Sequence, residues 1–342
     1  MKLGFVFMLV MVALTFSYCS KGNTAKNNTP PENLVVNAIV STDNSGNVAF
    51  TASATNATNY EFDFGNGEFK LVASGNIVYK YAASGVYTVN IIAKSASGLT
   101  TSKSIQVTVL VNLSLIWSDE FETSGAPDAA KWGYDIGTGS GGWGNNELQY
   151  YTNRSTNAIV SNGTLKIIAQ KENFGGSSYT SARLLSKGKF STKYGKIEAR
   201  AKLPAGGGTW PAIWMLGDNI GTVGWPACGE IDIMEHKGND PNKIYGTVHH
   251  PGHSGGNADG GTKVISNATS EFHIYTVEWS ASSIKFLVDG IAYYTFANNS
   301  SLPFNQNFFL LLNVAMGGTF GGSVNPTFSS AAMEIDYVRV YQ

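Results

Sequence analysis

From residue 34 onward the chain is written in short strand-like runs broken by polar, glycine-rich turns. TLKIIAQ, GKIEARAKL, HIYTVEW, SIKFLVDG, FFLLLNVAM and MEIDYVRVY all read as strands, and no stretch of a dozen residues in 112–342 repeats at helical spacing. Strands bury their apolar faces by laying sheet on sheet, so the sequence predicts an all-β protein. Hydrophobic residues, at 43%, suffice for a core. Charged residues are only 14% against an average near 25%, and 39 glycines with abundant Ser, Thr and Asn supply uncharged solubility. A net charge of -1 without a long basic run excludes a nucleic-acid partner, which is held through phosphate neutralisation. Two cysteines exclude a disulfide scaffold.

A length of 342 residues allows two domains behind a leader. Residues 1–18 carry Lys2 and an apolar run, Leu3 to Phe16, too short to span a bilayer and suited to a secretory signal peptide. The segment resembles a bacterial lipoprotein signal, which implies lipidation of Cys19, a tether over 19–33 rich in Asn, Thr and Pro, and a lipid-anchored place in the bacterial cell envelope. Ordinary cleavage and secretion is the alternative. Membrane contact is expected only through that anchor, and Cys228 then reads as a small buried residue. Residues 34–110 (LVVNAIV, NVAFTAS, YEFDFG, GVYTVNIIAK, TSKSIQVTVL) read as a small Ig-like β-sandwich. FDFGNG followed by YKYAASGVYTVNIIA resembles PKD-type domains, with Asn66 where that family usually has Asp. It contains no His, Cys or Trp, and its scattered acids suggest a spacer.

Residues 112–342 hold all seven Trp and all five His. Many strands with Gly-rich turns suggest one large jelly-roll sandwich. Its chemistry concentrates in WPACGEIDIMEHKG (225–238). Strand residues two apart share a face, so Glu230 and Asp232 point together while Ile231 and Ile233 point into the core. Glu235 falls on the wrong face unless a one-residue β-bulge near Ile233–Met234 restores it. Three carboxylates on one face repel, so one should hold its proton near neutral pH. An ionised carboxylate beside a protonated one is what glycoside cleavage requires.

GEIDIME is similar to the E-x-D-x-x-E signature of family-16 glycoside hydrolases, in the bulged form of laminarinases, agarases and carrageenases. IWSDEF, GWGNNELQYYT, YGKIEARAKLPAGGGTWPAIWML and MEIDYVRVYQ extend the resemblance across 113–342, in order. It implies a β-jelly-roll with a cleft along its concave face and a retaining mechanism. Glu230 matches the nucleophile, Glu235 the general acid/base and Asp232 the acid between them.

Sugar sites pair flat aromatics with amide or charged hydrogen-bonders. Trp210 and Trp214, four apart, share a strand face. The resemblance places both, with Trp225, along the cleft, and leaves Trp117, Trp132 and Trp279 as core. It also implies Asn145 as a sugar contact, Arg183 near the reaction centre and His249 at the reactive subsite. Asn313, polar in an apolar strand, either bonds substrate or satisfies a buried backbone group. His236 should face away from the acids. His250 and His253 follow on a Gly-rich loop, but no Cys or carboxylate has matching ligand spacing, so zinc is not expected. No cofactor is expected for catalysis. A structural calcium is implied at Glu120, the Gly163 carbonyl and Asp336, through oxygen ligands. The expectation is a monomeric endo-β-1,3-glucanase acting on laminarin-like or mixed-linked β-glucan. The alternatives are a galactanase of agarase or carrageenase type and a non-catalytic β-glucan-binding protein. Neither 142–151 nor Gly206 to Glu235 has a Lys or Arg, which suits a neutral glucan over a sulfated galactan.

Overall fold

The computed structural model describes residues 29–342, so the signal segment, Cys19 and the first part of the tether lie outside the described residues. The chain is all-β, as its periodicity predicts. Residues Glu32–Val40, Asn47–Thr55 and Asn76–Lys80 form one sheet of a small sandwich. Phe69–Val72, Asn59–Asp63, Gly85–Lys94 and Thr100–Val109 form the other. Val48, Phe50, Phe62, Phe64, Tyr81, Val89 and Ile91 fill the space between them and share no contact cluster with the rest of the chain. No helix among the described residues is long and apolar enough to cross a membrane.

From Leu115 onward the chain builds a second, larger sandwich of a ten-stranded and a seven-stranded sheet. The seven-stranded sheet carries the site. In chain order its strands are β1 (Gly133–Asp135), β2 (Arg183–Leu185), β3 (Thr209–Gly217), β4 (Glu230–Lys237), β5 (Asp240–His249), β6 (Asp259–Val264) and β7 (Phe308–Met316). Their spatial order is β6-β5-β4-β3-β7-β2-β1, antiparallel throughout. One face of this sheet packs on the other sheet. Ile213, Met215, Ile231, Met234, Val248, Leu310 and Leu312 point there, fully buried, and meet Ile167, Ile197, Val277 and Val338. FFLLLNVAM shows no alternation in sequence because β7 is central and buried on both faces.

Candidate active site

The acidic face of β4 is made by a bulge. Against β3, Leu216 pairs with Glu230, Met215 with Ile231, Trp214 with Asp232, Ile213 with Met234 and Ala212 with Glu235, so Ile233 is the extra residue. The same break recurs against β5, where Glu230 pairs with His249, Asp232 with Thr247 and Glu235 with Tyr245. Ile233 and Met234 both point into the core. That restores the alternation for Glu235 and puts three carboxylates on one face, at the step where the sequence requires it.

Each outer carboxylate receives an indole N–H. Trp225 donates to Glu230 Oε2 at 2.8 Å and Trp210 to Glu235 Oε1 at 3.0 Å. The Thr247 hydroxyl lies 3.3 Å from the other Glu235 oxygen. His249 approaches from β5, with Nε2 3.1 Å from Asp232 Oδ2 and 3.8 Å from Glu230 Oε1. Its Nδ1 accepts the Gly255 backbone N–H at 3.1 Å, which leaves the ring proton on Nε2, facing the acids.

Burial pushes all three carboxyls up. Glu230 and Asp232 are held well above the usual carboxylate range, first by loss of solvent and then by neighbouring negative charge. Glu235 is raised by burial and partly relieved by the Trp210 N–H, His249, Thr247 and Lys237. The Asp232 side chain is only 4% exposed, and the Glu235 charge adds to the effect of its burial. Crowded and buried in this way, the three carboxyls together hold protons more tightly than free carboxylates do.

Beyond the acids, β2 and β7 extend the face. Arg183, paired with Asn313 and with Asp135, makes an ion pair of 3.0 Å to Asp135. Its guanidinium lies 4.7 Å from the ring centres of both Trp143 and Trp214, between two indoles. Asn313 is under this layer with its amide engaged at both ends. Its oxygen accepts the Trp214 N–H at 2.8 Å, and its nitrogen donates to the Tyr151 hydroxyl at 3.1 Å. Tyr151 in turn reaches Glu147, which also accepts from Gln149 and Asn145. Asn313 therefore meets side chains and not a buried backbone group, and it holds the Trp214 indole in place. Asn145 sits half-buried in the Gly142–Asn146 loop, its amide turned to Glu147.

The sequence pattern assigns no role to Trp143, Glu147, Tyr151, Tyr245, Thr247, Phe320 or Lys237. Tyr245 and Thr247 were within reach by counting back from His249 at period two. At the Glu235 end, Phe320 packs 5.2 Å from Trp210 and 5.0 Å from Tyr245, with the Lys237 ammonium 4.2 Å above its ring. Trp143 rides on a left-handed loop in which Gly142 has no room for a side chain. A Cβ on Gly142, at φ 60°, would meet the Glu147 nitrogen at 2.5 Å.

Elsewhere the expectations divide. Trp132 and Trp279 are core, and Trp117 packs partly buried against Trp132 and Phe190. His236 is buried, with Nε2 3.1 Å from the Pro241 carbonyl. Cys228 is a buried free thiol, pushed up to about 11 by burial. The residues implied for calcium are engaged with arginines. Strand pairing brings Glu120, Gly163 and Asp336 to one region of the ten-stranded sheet. However, Arg339 takes both Glu120 oxygens at 3.0 and 2.8 Å, and Arg200 takes Asp336 at 2.7 Å. The expectation that no carboxylate joins His250 and His253 also fails, since Asp259 Oδ2 lies within 3.1 Å of both rings.

The chain is similar to known proteins over most of its length. Residues 145–339 match the model of glycosyl hydrolases family 16, and residues 27–109 match the PKD domain. A beta-glucanase of Rhodothermus marinus is 48% identical over 244 residues, 67% of this chain and 85% of that protein. The crystal structure of the Rhodothermus marinus laminarinase superposes with a TM-score of 0.65 at 47% identity, covering 68% of this chain and 98% of that one. A Z. galactanivorans LamA variant in complex with laminaritriose and laminaritetraose gives 0.62 at 47% identity, covering 67% and 99%. An acid-bearing bulged strand on the exposed face of a two-sheet sandwich, and these matches, lead to one assignment: the chain belongs to glycosyl hydrolases family 16, with a PKD domain ahead of its catalytic sandwich.

Proposed function

We propose that this chain cleaves internal β-1,3 bonds of laminarin-like or mixed-linked β-glucans by a retaining double displacement. The bulge at Ile233 is the observation that carries the reading, because it sets Glu230 and Glu235 on one face with Asp232 between them. Glu230 attacks the anomeric carbon, and the glycosidic C–O bond breaks as Glu235 gives its proton to the departing oxygen. Water then enters, Glu235 takes its proton, and the hydroxyl displaces Glu230 from the sugar. The Trp225 N–H and the His249 Nε2–H both favour the ionised Glu230. An anion there keeps Glu235 protonated. No cofactor enters the reaction. A calcium ion would have to take Glu120 and Asp336 from their arginines, and no step is routed through one.

Two similarities support glucan as substrate: the Rhodothermus marinus beta-glucanase and the Z. galactanivorans protein that holds laminari-oligosaccharides. The retention of both Glu230 and Glu235 argues against a purely binding role. The exposed Trp225 indole and the Trp210–Phe320–Tyr245 cluster offer flat faces to sugar rings on either side of the acids. We also place the mature chain at the bacterial envelope through Cys19, as a monomer with the PKD domain as spacer. Reducing-sugar release from laminarin, barley β-glucan and agarose tests the substrate. Cleavage of laminarin by wild type, lost in Glu230→Gln, is expected. Cleavage of agarose alone would keep the mechanism and overturn the glucan assignment, and laminarin binding without cleavage would leave a sensor.

A further inference from the structure

On the side of β5 away from His249 stands a second group of titratable side chains. His250 follows His249 and so points the other way, as does Val248, which is fully buried in the core. The His250 ring is buried against Phe296 and Phe304. Pro251 and Gly252, the latter at φ 85°, turn the chain back sharply, and His250 and His253 exchange two backbone hydrogen bonds of 2.9 Å. Their rings stack with centroids 4.8 Å apart and planes 18° from parallel. Asp259 opens β6 opposite Val248, and its Oδ2 lies 3.1 Å from His250 Nε2 and 3.0 Å from His253 Nδ1.

One ligand atom from each of these residues falls within 4.8 Å of the other two. Ligands at zinc distances on a tetrahedron are about 3.3 Å apart, so the two nitrogen-to-oxygen spacings are near those of a metal site. Two imidazoles and a carboxylate suit zinc and its neighbours better than calcium, which prefers six or more oxygens. His253, with its side chain 52% exposed, leaves an entry path and an open fourth position for water.

We propose that His250, His253 and Asp259 form a binding site for a divalent metal of the zinc class. The site is separate from the catalytic carboxylates, since it lies across the sheet from them. It ties the 250–259 loop to the first residue of β6, and that loop also supplies the Gly255 N–H to His249.

The test is calorimetric titration of untagged, chelator-treated chain with zinc chloride, with thermal melts alongside. Wild type, His253→Ala and Glu230→Gln are compared, because Glu230, Asp232 and His249 are the other group with ligand atoms in range among the described residues. Wild type and Glu230→Gln should each bind one zinc with similar affinity and melt higher when it is present. His253→Ala should melt like wild type without zinc, because its side chain is exposed, and bind at least about tenfold more weakly. Absence of binding in wild type, or equal affinity in His253→Ala, would overturn the site and leave Asp259 as a hydrogen-bond clamp. Loss in Glu230→Gln alone would assign the ion to the catalytic carboxylates and overturn it equally.

Discussion

Three indole N–H groups aim at the polar side chains of the cleft: Trp225 at Glu230, Trp210 at Glu235 and Trp214 at Asn313. Trp210 is the informative one, because its N–H favours the ionised form of Glu235. Trp210→Phe keeps most of the ring and removes the donor, so the Glu235 pKa should rise. A hydrogen bond to a charged group contributes about 1.5–3 kcal/mol, enough to move the titration measurably. The alkaline limb of the kcat/KM profile should move to higher pH, and an unmoved limb would detach Glu235 from that titration. A second consequence concerns stability. Each acid binds its proton more tightly folded than unfolded, so between its unfolded and folded pKa the native state holds more protons, and stability falls as pH rises. Glu230→Gln should therefore raise the melting temperature near pH 7, by about 1–2 kcal/mol of stability, and the gain should vanish as pH drops to about 4. Melts across that range check it.

At the scale of the element, β4 and its neighbours define what the bulge does. Ile213 and Ala212 already pair with Met234 and Glu235, so removing Ile233 leaves every other register intact and Glu235 still on the cleft face. The deletion should destabilise by about 2–4 kcal/mol through lost core volume. It should lower kcat by about 10²-fold, as small misplacements do, and retain far more activity than Glu230→Gln. Activity at the Glu230→Gln level would mean that the extra residue itself is indispensable. The bulge is legible because Glu235 lies five positions after Glu230, an odd offset that a regular strand cannot place on one face. Asp259 was not legible, because strand pairing, and not spacing, brings it to His250 across β5 and β6. Trp143 was missed for a similar reason: its place depends on a left-handed glycine loop that carries no periodicity. The arginines at Glu120 and Asp336 come from strands far away in sequence, and no local pattern announces them.

Over the whole molecule, two cores that share no residue explain the order of the chain. The small sandwich contributes no side chain to the acidic face, whose members all lie between Asp135 and Phe320. A chain beginning at residue 112 should therefore fold on its own core and keep kcat/KM on soluble laminarin within about twofold of the full protein. A large loss would mean that the first domain shapes the cleft. The large sandwich was readable as a class from its runs of strands, and its cleft followed from one acidic strand and from resemblance. The ion pairs and indole contacts that set the acids' protonation needed the folded sheet. The account turns on Glu230 as a nucleophile, and the anomer first released from laminarin tests that most directly. Proton NMR should show the β-anomer appearing first and mutarotating afterwards, the result of two displacements at one carbon. The α-anomer appearing first would mean direct attack by water, and would contradict the roles given to both Glu230 and Glu235.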